Sequence, residues 1–334
     1  MADRDEVLEQ TREWQSAGKS VALATVINTW GSAPVPVGSQ LAVNLDSAFV
    51  GSVSGGCIEG SVVGEALNCI EDGKPRILEF GVSDEQAWEV GLACGGDIRV
   101  HVARAPEAEI LSRLVDERPI AQITDLDTGE TCLVTGGEQS GGLKLGDEDL
   151  ETVRNALRDD KSRSLKTGTQ GAFVKVHNPP QRLFLIGAVH ISQALVPMAQ
   201  LAGFHVTVID PRGPFATEAR FPDVDLTEDW PDEALERLKI DSRSAVVALT
   251  HDPKFDDPGL AQALRSDAFY IGALGSRKTQ ASRRERLDEL GFGEEDFKRI
   301  NGPVGLDLGA TSPAEIAVSV LAEMVAAKHG KSFK

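Results

Sequence analysis

Apolar and polar positions change rhythm twice along the chain. Residues 3–17 set Val7, Leu8, Thr11 and Trp14 on one side at helical spacing, and Gly18 ends the run. Short apolar runs at 21–27, 40–43, 48–53 and 76–80, and an alternating run at 97–102, predict strands; 44–47 supplies a turn. Between the third and fourth of these, 58–70 has helical spacing. Residues 106–178 carry less pattern. Runs at 120–124 and 131–135 flank Asp127-Thr128-Gly129-Glu130 and predict a hairpin, 136–142 reads as a flexible loop, and 147–160 as a polar helix. Helices and short strands mixed in this way predict an N-terminal α+β domain over residues 1–178.

Asn178-Pro179-Pro180-Gln181 reads as a linker. After it the strands become continuously apolar. A strand at 182–187 closes on Gly187, a helix at 190–201 follows, Gly203 ends that helix, and a strand at 205–210 closes on Asp210. Strand, glycine turn, helix, strand and acid open a Rossmann-like unit. Further buried-type runs at 245–250 and 268–272, with helices between, predict a doubly wound parallel sheet over residues 179–334, so the fold class is α/β overall. The dinucleotide fingerprint is altered: in Gly187-Ala188-Val189-His190-Ile191-Ser192, Val189 and Ser192 stand where G-x-G-x-x-G has its second and third glycines. An isopropyl group at Val189 would crowd a pyrophosphate, so NAD(P) binding is doubtful although the fold signal is strong. Asp210 reads either as a ribose ligand or as an acid capping the next turn. Gly275-Ser276-Arg277-Lys278 opens a helix and reads either as an anion site or as a capped helix with a solvated basic face. Ser312-Pro313-Ala314-Glu315 is a capping box with Pro at the first position, followed by Ile316, Val320, Met324 and Ala327 on one face.

The chain has 334 residues and a formal net charge of −18. No basic excess exists to neutralise phosphates, which argues against nucleic acid as a partner. No apolar run is long enough to span a bilayer, and the charged N-terminus lacks a signal-peptide core, so the expected location is the cytoplasm. The four cysteines, Cys57, Cys69, Cys94 and Cys132, show no C-x-x-C pair, which argues against a disulfide framework or a zinc site. Cys69 and Cys132 fall inside predicted elements and read as core.

Cys57 is different. It sits in Gly51-Ser52-Val53-Ser54-Gly55-Gly56-Cys57-Ile58-Glu59-Gly60, at the predicted start of a helix. Glycines there free the backbone, and N–H groups of Gly55 and Gly56 could form an anion-binding nest. A thiol in the first turn feels the positive helix end, which favours thiolate, the form that binds soft metals. One such cysteine is more often a buried structural thiol, but Cys94-Gly95-Gly96 repeats the arrangement at a second strand junction. If the two junctions share an edge, Cys57 and Cys94 face one pocket.

These motifs together resemble the XdhC/CoxI family, accessory proteins of molybdenum-containing xanthine and carbon monoxide dehydrogenases. The matching residues are 31–34, 51–60, Cys94-Gly95-Gly96, 187–190, 208–212, 275–277 and 303–317. The resemblance implies a chaperone, not itself an enzyme, that binds molybdenum cofactor, shields it during sulfuration and passes it to an apo molybdenum hydroxylase. A cofactor-sulfurating cysteine desulfurase would be a further partner, and the apolar N-terminal strands are compatible with a homodimer. Cofactor-binding candidates are Gly55, Gly56, Cys57, Glu59, Cys94, Gly95, Gly187, His190, Asp210, Ser276 and Arg277, with Cys57 and Cys94 as metal ligands. Two other readings stay open: an NAD(P)-linked oxidoreductase using the Rossmann-like domain, and a scaffold that only recruits maturation partners.

Overall fold

A computed structural model describes residues 4–31, 35–81, 97–116, 118–166 and 169–332. The chain divides into two compact units, Met1–Pro179 and Pro180–Lys334.

The first unit holds two five-stranded antiparallel sheets. One is built from β1 (Val21–Trp30), β2 (Gln40–Asn44), β3 (Phe49–Gly51), β4 (Arg76–Phe80) and β5 (Asp97–Arg104), in the order β3-β2-β1-β5-β4. The β2–β3 turn forms because Asn44 Oδ1 accepts the N–H groups of Asp46 and Ala48, at 2.9 and 3.1 Å. This mimics a backbone turn. Helix α1 (Arg4–Ser16) tucks Val7 against Val21, Leu23 and Ala42. Helix α2 (Glu59–Asp72) buries Val62, Ala66, Cys69 and Ile70 against Ala24, Val26, Val43, Val100 and Val102. Those four positions follow the i, i+4, i+7, i+8 stripe of a core-facing helix. Each large side chain so buried contributes about 1.5–3 kcal/mol.

The second sheet is where sequence pattern was weakest. It comprises β6 (Ile120–Asp125), β7 (Thr131–Thr135), β8 (Glu138–Gly141), β9 (Arg163–Leu165) and β10 (Ala172–His177), in the order β8-β7-β6-β10-β9. The β6–β7 hairpin forms with Ile123 opposite Cys132. The segment 136–142, read as a flexible loop, is instead half strand: Gly136 and Gly137 turn at φ 58° and 90°, and β8 pairs antiparallel with β7. Polar residues dominate β8 because it is an edge strand, so no apolar period betrays it. Helix α3 (Ala108–Asp116) packs Leu111 and Leu114 on Leu8, Ile120 and Leu133. Helix α4 (Asp147–Asp159) covers the sheet with Val153 and Ala156. Cys69 and Cys132 are both fully buried. Burial pushes the Cys69 thiol up and takes Cys132 to about 11.

The second unit is a six-stranded parallel sheet: β11 (Gln181–Ile186), β12 (Phe204–Ile209), β13 (Asp225–Thr227), β14 (Ser244–Ala248), β15 (Tyr270–Ala273) and β16 (Ile300–Asn301). Its order, β13-β12-β11-β14-β15-β16, is the doubly wound Rossmann order. Alternate residues serve opposite faces. Leu183, Leu185, Ala245 and Val247 meet α5 (His190–Leu201) and α10 (Pro313–Lys328), while Phe184, Ile186, Val246 and Ala248 meet α6 (Pro231–Leu238), α7 (Pro253–Leu264) and α8 (Arg277–Glu289). Two covered faces explain the unbroken apolar strands. Short α9 (Glu294–Lys298) precedes β16. The capping box before α10 forms as its spacing predicts, with Ser312 Oγ accepting from Glu315 N and Glu315 Oε2 accepting from Ser312 N.

Candidate functional sites

Strand β3 runs into the Cys57 loop through Gly51, at φ 92°. A Cβ there would lie 2.2 Å from the Gln40 carbonyl oxygen, so only glycine lets β3 pair with β2 and turn away. The loop then closes around one side chain. Glu59 turns its carboxylate back: Oε1 accepts from Ser52 Oγ at 2.7 Å, Val53 N at 3.2 Å and Ser54 N at 2.9 Å. Oε2 accepts from Ser54 Oγ at 2.5 Å and Gly56 N at 2.9 Å. Gly55 N donates to Ser52 Oγ, and the N–H groups of Cys57 and Ile58 both donate to Ser54 Oγ. Burial alone would raise the Glu59 carboxyl. The hydrogen bonds from Ser54 and Ser52 outweigh it and hold the group at about 2.

Two expectations change. The Gly55–Gly56 amides do not form an open nest for a ligand's phosphate, because Ser52 Oγ and the protein's own carboxylate occupy them. Cys57 does not lie in the first helical turn: α2 begins at Glu59 with Ile58 as its N-cap, and the Ser54 and Glu59 bonds hold 55–58 as a turn. The glycines instead shape a tight bend, at φ 78° and 116°, from which Cys57 projects. Val53, Ser54, Ile58 and Glu59 are buried, while Gly55, Gly56 and Cys57 are exposed. The thiol is free. Ser52 and Ser54, which organise the bend, were not among the sequence candidates. The signal for them was the Ser-x-Ser spacing ahead of an acid.

Cys94, Gly95 and Gly96 lie outside the described residues, as does 32–34. Among the described residues no group of three His, Cys, Asp or Glu side chains is placed to hold a metal ion.

In the second unit, Gly187 ends β11 at φ 111°, and a Cβ there would meet Thr250 Cγ2 at 2.6 Å. Asp210 is fully occupied. Oδ2 accepts from Ala188 N at 2.7 Å and Arg212 Nη2 at 2.7 Å; Oδ1 accepts from Arg212 N at 3.0 Å and Arg212 Nε at 2.9 Å. Burial works to raise this carboxyl, and Arg212 together with the Ala188 N–H overrides it, holding it below the ordinary value. The ribose-ligand reading of Asp210 is therefore replaced by that of a turn-capping acid, which also holds the amide next to Gly187. Ser192, standing at the third glycine position, is buried and donates to the Gly187 carbonyl at 2.6 Å. His190 is exposed at the start of α5. Ser276 caps α8, its Oγ accepting from Thr279 N at 3.2 Å, and Arg277 is exposed.

The XdhC and CoxI family model matches residues 14–81, and the XdhC Rossmann domain model matches residues 183–324. The chain belongs to the XdhC and CoxI family. The family's N-terminal match thus contains the Cys57 loop, and its Rossmann match contains Gly187, Asp210 and Ser276. A molybdenum cofactor insertion chaperone, PaoD of Escherichia coli, is 28% identical over 98% of this chain and 89% of its own length. A Bacillus subtilis protein named as a probable xanthine dehydrogenase subunit is 26% identical over 92% of this chain and 93% of its own. A crystal structure described as a xanthine dehydrogenase from Bacillus halodurans superposes with a TM-score of 0.78 at 24% identity, covering 98% of this chain and 96% of that one. That likeness establishes the shared fold. Among the described residues no helix is long and apolar enough to cross a membrane.

Proposed function

We propose that this protein is a molybdenum cofactor chaperone that protects the cofactor and delivers it to an apo molybdenum hydroxylase of the xanthine or carbon monoxide dehydrogenase type. The observation that carries the reading is the exposed, free Cys57 thiol, held out on a bend pinned from within by Glu59. Molybdenum is thiophilic, and a thiolate is the form that ligates it. A transient carrier needs one reachable soft ligand on a rigid support. A closed cage would hinder release. The names of the relatives point the same way. Since the amides of the bend are taken internally, it offers the cargo sulfur, and the cargo's phosphate would be held by other groups. Cys94 as a second ligand, a cysteine desulfurase as the sulfurating partner, a cytoplasmic location and a homodimeric state belong to the same proposal.

The oxidoreductase alternative is weakened by the second unit. Val189 stands at the position of close pyrophosphate approach, and the Asp210 carboxylate is already bound by Arg212 and Ala188. The test loads purified protein with molybdenum cofactor and measures retention after gel filtration. Wild type should retain it, and Cys57→Ala should lose most of it while its circular dichroism stays unchanged. Equal retention by the variant would remove the thiol from the site. Saturable NADH binding would favour the oxidoreductase.

A further inference from the structure

A second site forms at the carboxyl end of the parallel sheet, from residues the spacing of motifs did not bring together. After β14 the chain turns through Thr250, His251 and Asp252 into α7. Thr250 Oγ1 donates to Asp256 Oδ1 at 2.7 Å, and Asp252 Oδ1 accepts from Lys254 N at 3.0 Å, so both ends of the turn are tied down. His251 between them sits at φ 63°. His251 and Pro253, with Lys278, Thr279, Ser282, Arg283 and Arg286 of α8, line a cavity of about 260 Å³.

The lining carries an imidazole, an ammonium, two hydroxyls and two guanidiniums, and no carboxylate. Both guanidiniums are ion-paired to acids outside the lining, so among the described residues the unpaired positive charge of the lining is that of Lys278. Two acids lie behind the guanidiniums and fix them. Asp256 Oδ2 accepts from Arg283 Nη2 at 3.1 Å, and Asp257 Oδ1 accepts from Arg286 Nη2 at 3.2 Å. Arg283 is 3% exposed, and its Nε has no hydrogen-bond partner among the described residues, with Asp257 Oδ1 3.7 Å away. Lys278 has no ion pair among the described residues. A guanidinium fork held by carboxylates behind it is oriented before any anion arrives.

We propose that this cavity binds the phosphate end of a small phosphorylated molecule of the phosphate or diphosphate ester class. Lys278 supplies the unpaired charge, Arg286 supplies guanidinium N–H groups already oriented by Asp257, and Thr279, Ser282 and His251 add polar side chains to the lining. A volume of about 260 Å³ is below the roughly 300–1,000 Å³ of pockets that enclose whole drug-sized ligands, so the cavity takes a head group and not a complete dinucleotide. No residue of the Gly187 turn lines the cavity, although Gly187 packs against Thr250, which opens the His251 turn, and the amide next to Gly187 is already held by Asp210. Of the anion reading at the start of α8 the site keeps Lys278, drops Ser276 and Arg277, which do not line the cavity, and adds residues on the following turns. It does not depend on Cys57, and its failure would leave the chaperone reading intact.

The full-length protein is titrated calorimetrically with pyrophosphate and with ADP at physiological ionic strength. Pyrophosphate should bind saturably to one site. Lys278→Glu should weaken it about ten-fold or more, while Arg277→Glu, one residue away, should change it less than about two-fold. Both side chains are exposed, so neither change threatens folding. ADP binding more tightly than pyrophosphate would show that a nucleoside is also recognised; equal affinity would show that the phosphate alone is read. No saturable binding of either probe, or equal losses in the two variants, would overturn the proposal.

Discussion

Two glycine turns, one in each unit, look alike in sequence: a strand, glycines, a helix, and an acid within reach. In both, the protein supplies its own anion. Glu59 takes three backbone N–H groups of the Ser52–Gly56 bend, and Asp210 takes those of Ala188 and Arg212. They differ in how that charge is balanced and in what is left outside. Among the described residues Glu59 is stabilised only by neutral donors, so the bend holds a full carboxylate with no cation among them beside it. Asp210 is neutralised by Arg212, whose guanidinium also stacks over Phe215 at 4.6 Å. The first bend exposes a thiol; the second exposes no nucleophilic side chain beyond the His190 imidazole. An internal carboxylate thus converts a glycine loop from an anion cradle into a rigid mount, and the mounted side chain decides its chemistry.

The largest contrast to test is thiol access. In a Cys94→Ser background, iodoacetamide followed by mass spectrometry should label Cys57 at least about 100-fold faster than Cys69 or Cys132, because burial both blocks the buried thiols and opposes their ionisation. Comparable labelling of Cys132 would break the contrast. Next is the mount itself. Glu59→Gln leaves about two donors facing an amide NH2, at about 2 kcal/mol each, so urea denaturation should show a loss of about 4 kcal/mol from the first unit. Faster, less selective labelling of the cysteines should accompany it.

Acid should reproduce part of that effect. The Glu59 carboxyl is depressed from 4.5 to about 2, so its contribution is fully present above about pH 4.5 and is lost as pH falls through 2. The shift corresponds to about 3 kcal/mol, and Glu59→Gln should lack this part of the pH dependence. The smallest effect belongs to the second turn. Asp210→Asn should cost about 2 kcal/mol, because Arg212 is about one-third exposed and can turn to water. It should leave the Cys57 labelling rate unchanged. A larger loss than that of Glu59→Gln would reverse the ranking of the two turns.

Much of the fold was legible from spacing. Unbroken apolar runs marked β11, β12, β14 and β15 because both faces of the sheet are covered, and Ser312-Pro313-Ala314-Glu315 announced α10. The sheet of β6 to β10 was only partly legible. Its polar edge strand β8 and three-residue β9 are defined by pairing with neighbours and not by their own period. For the site, the sequence singled out the two glycine turns but offered the amides of the first to a ligand, where the structure fills them from within. His251 was missed because it carries no motif. It becomes informative only beside Lys278 and Arg286, which lie some thirty residues further along the chain.

The order of elements, the capping residues, the glycine positions and the placing of Cys57 on a turn outside the core were determined by the sequence itself, because each depends on neighbours a few residues away. Which acceptor fills each amide was decided by the tertiary structure. Ala188 finds its acceptor 22 positions downstream, and Glu59 reaches its donors only once the bend has formed. A buried N–H must be satisfied by whatever folding brings within about 3 Å, and chain separation does not record that distance.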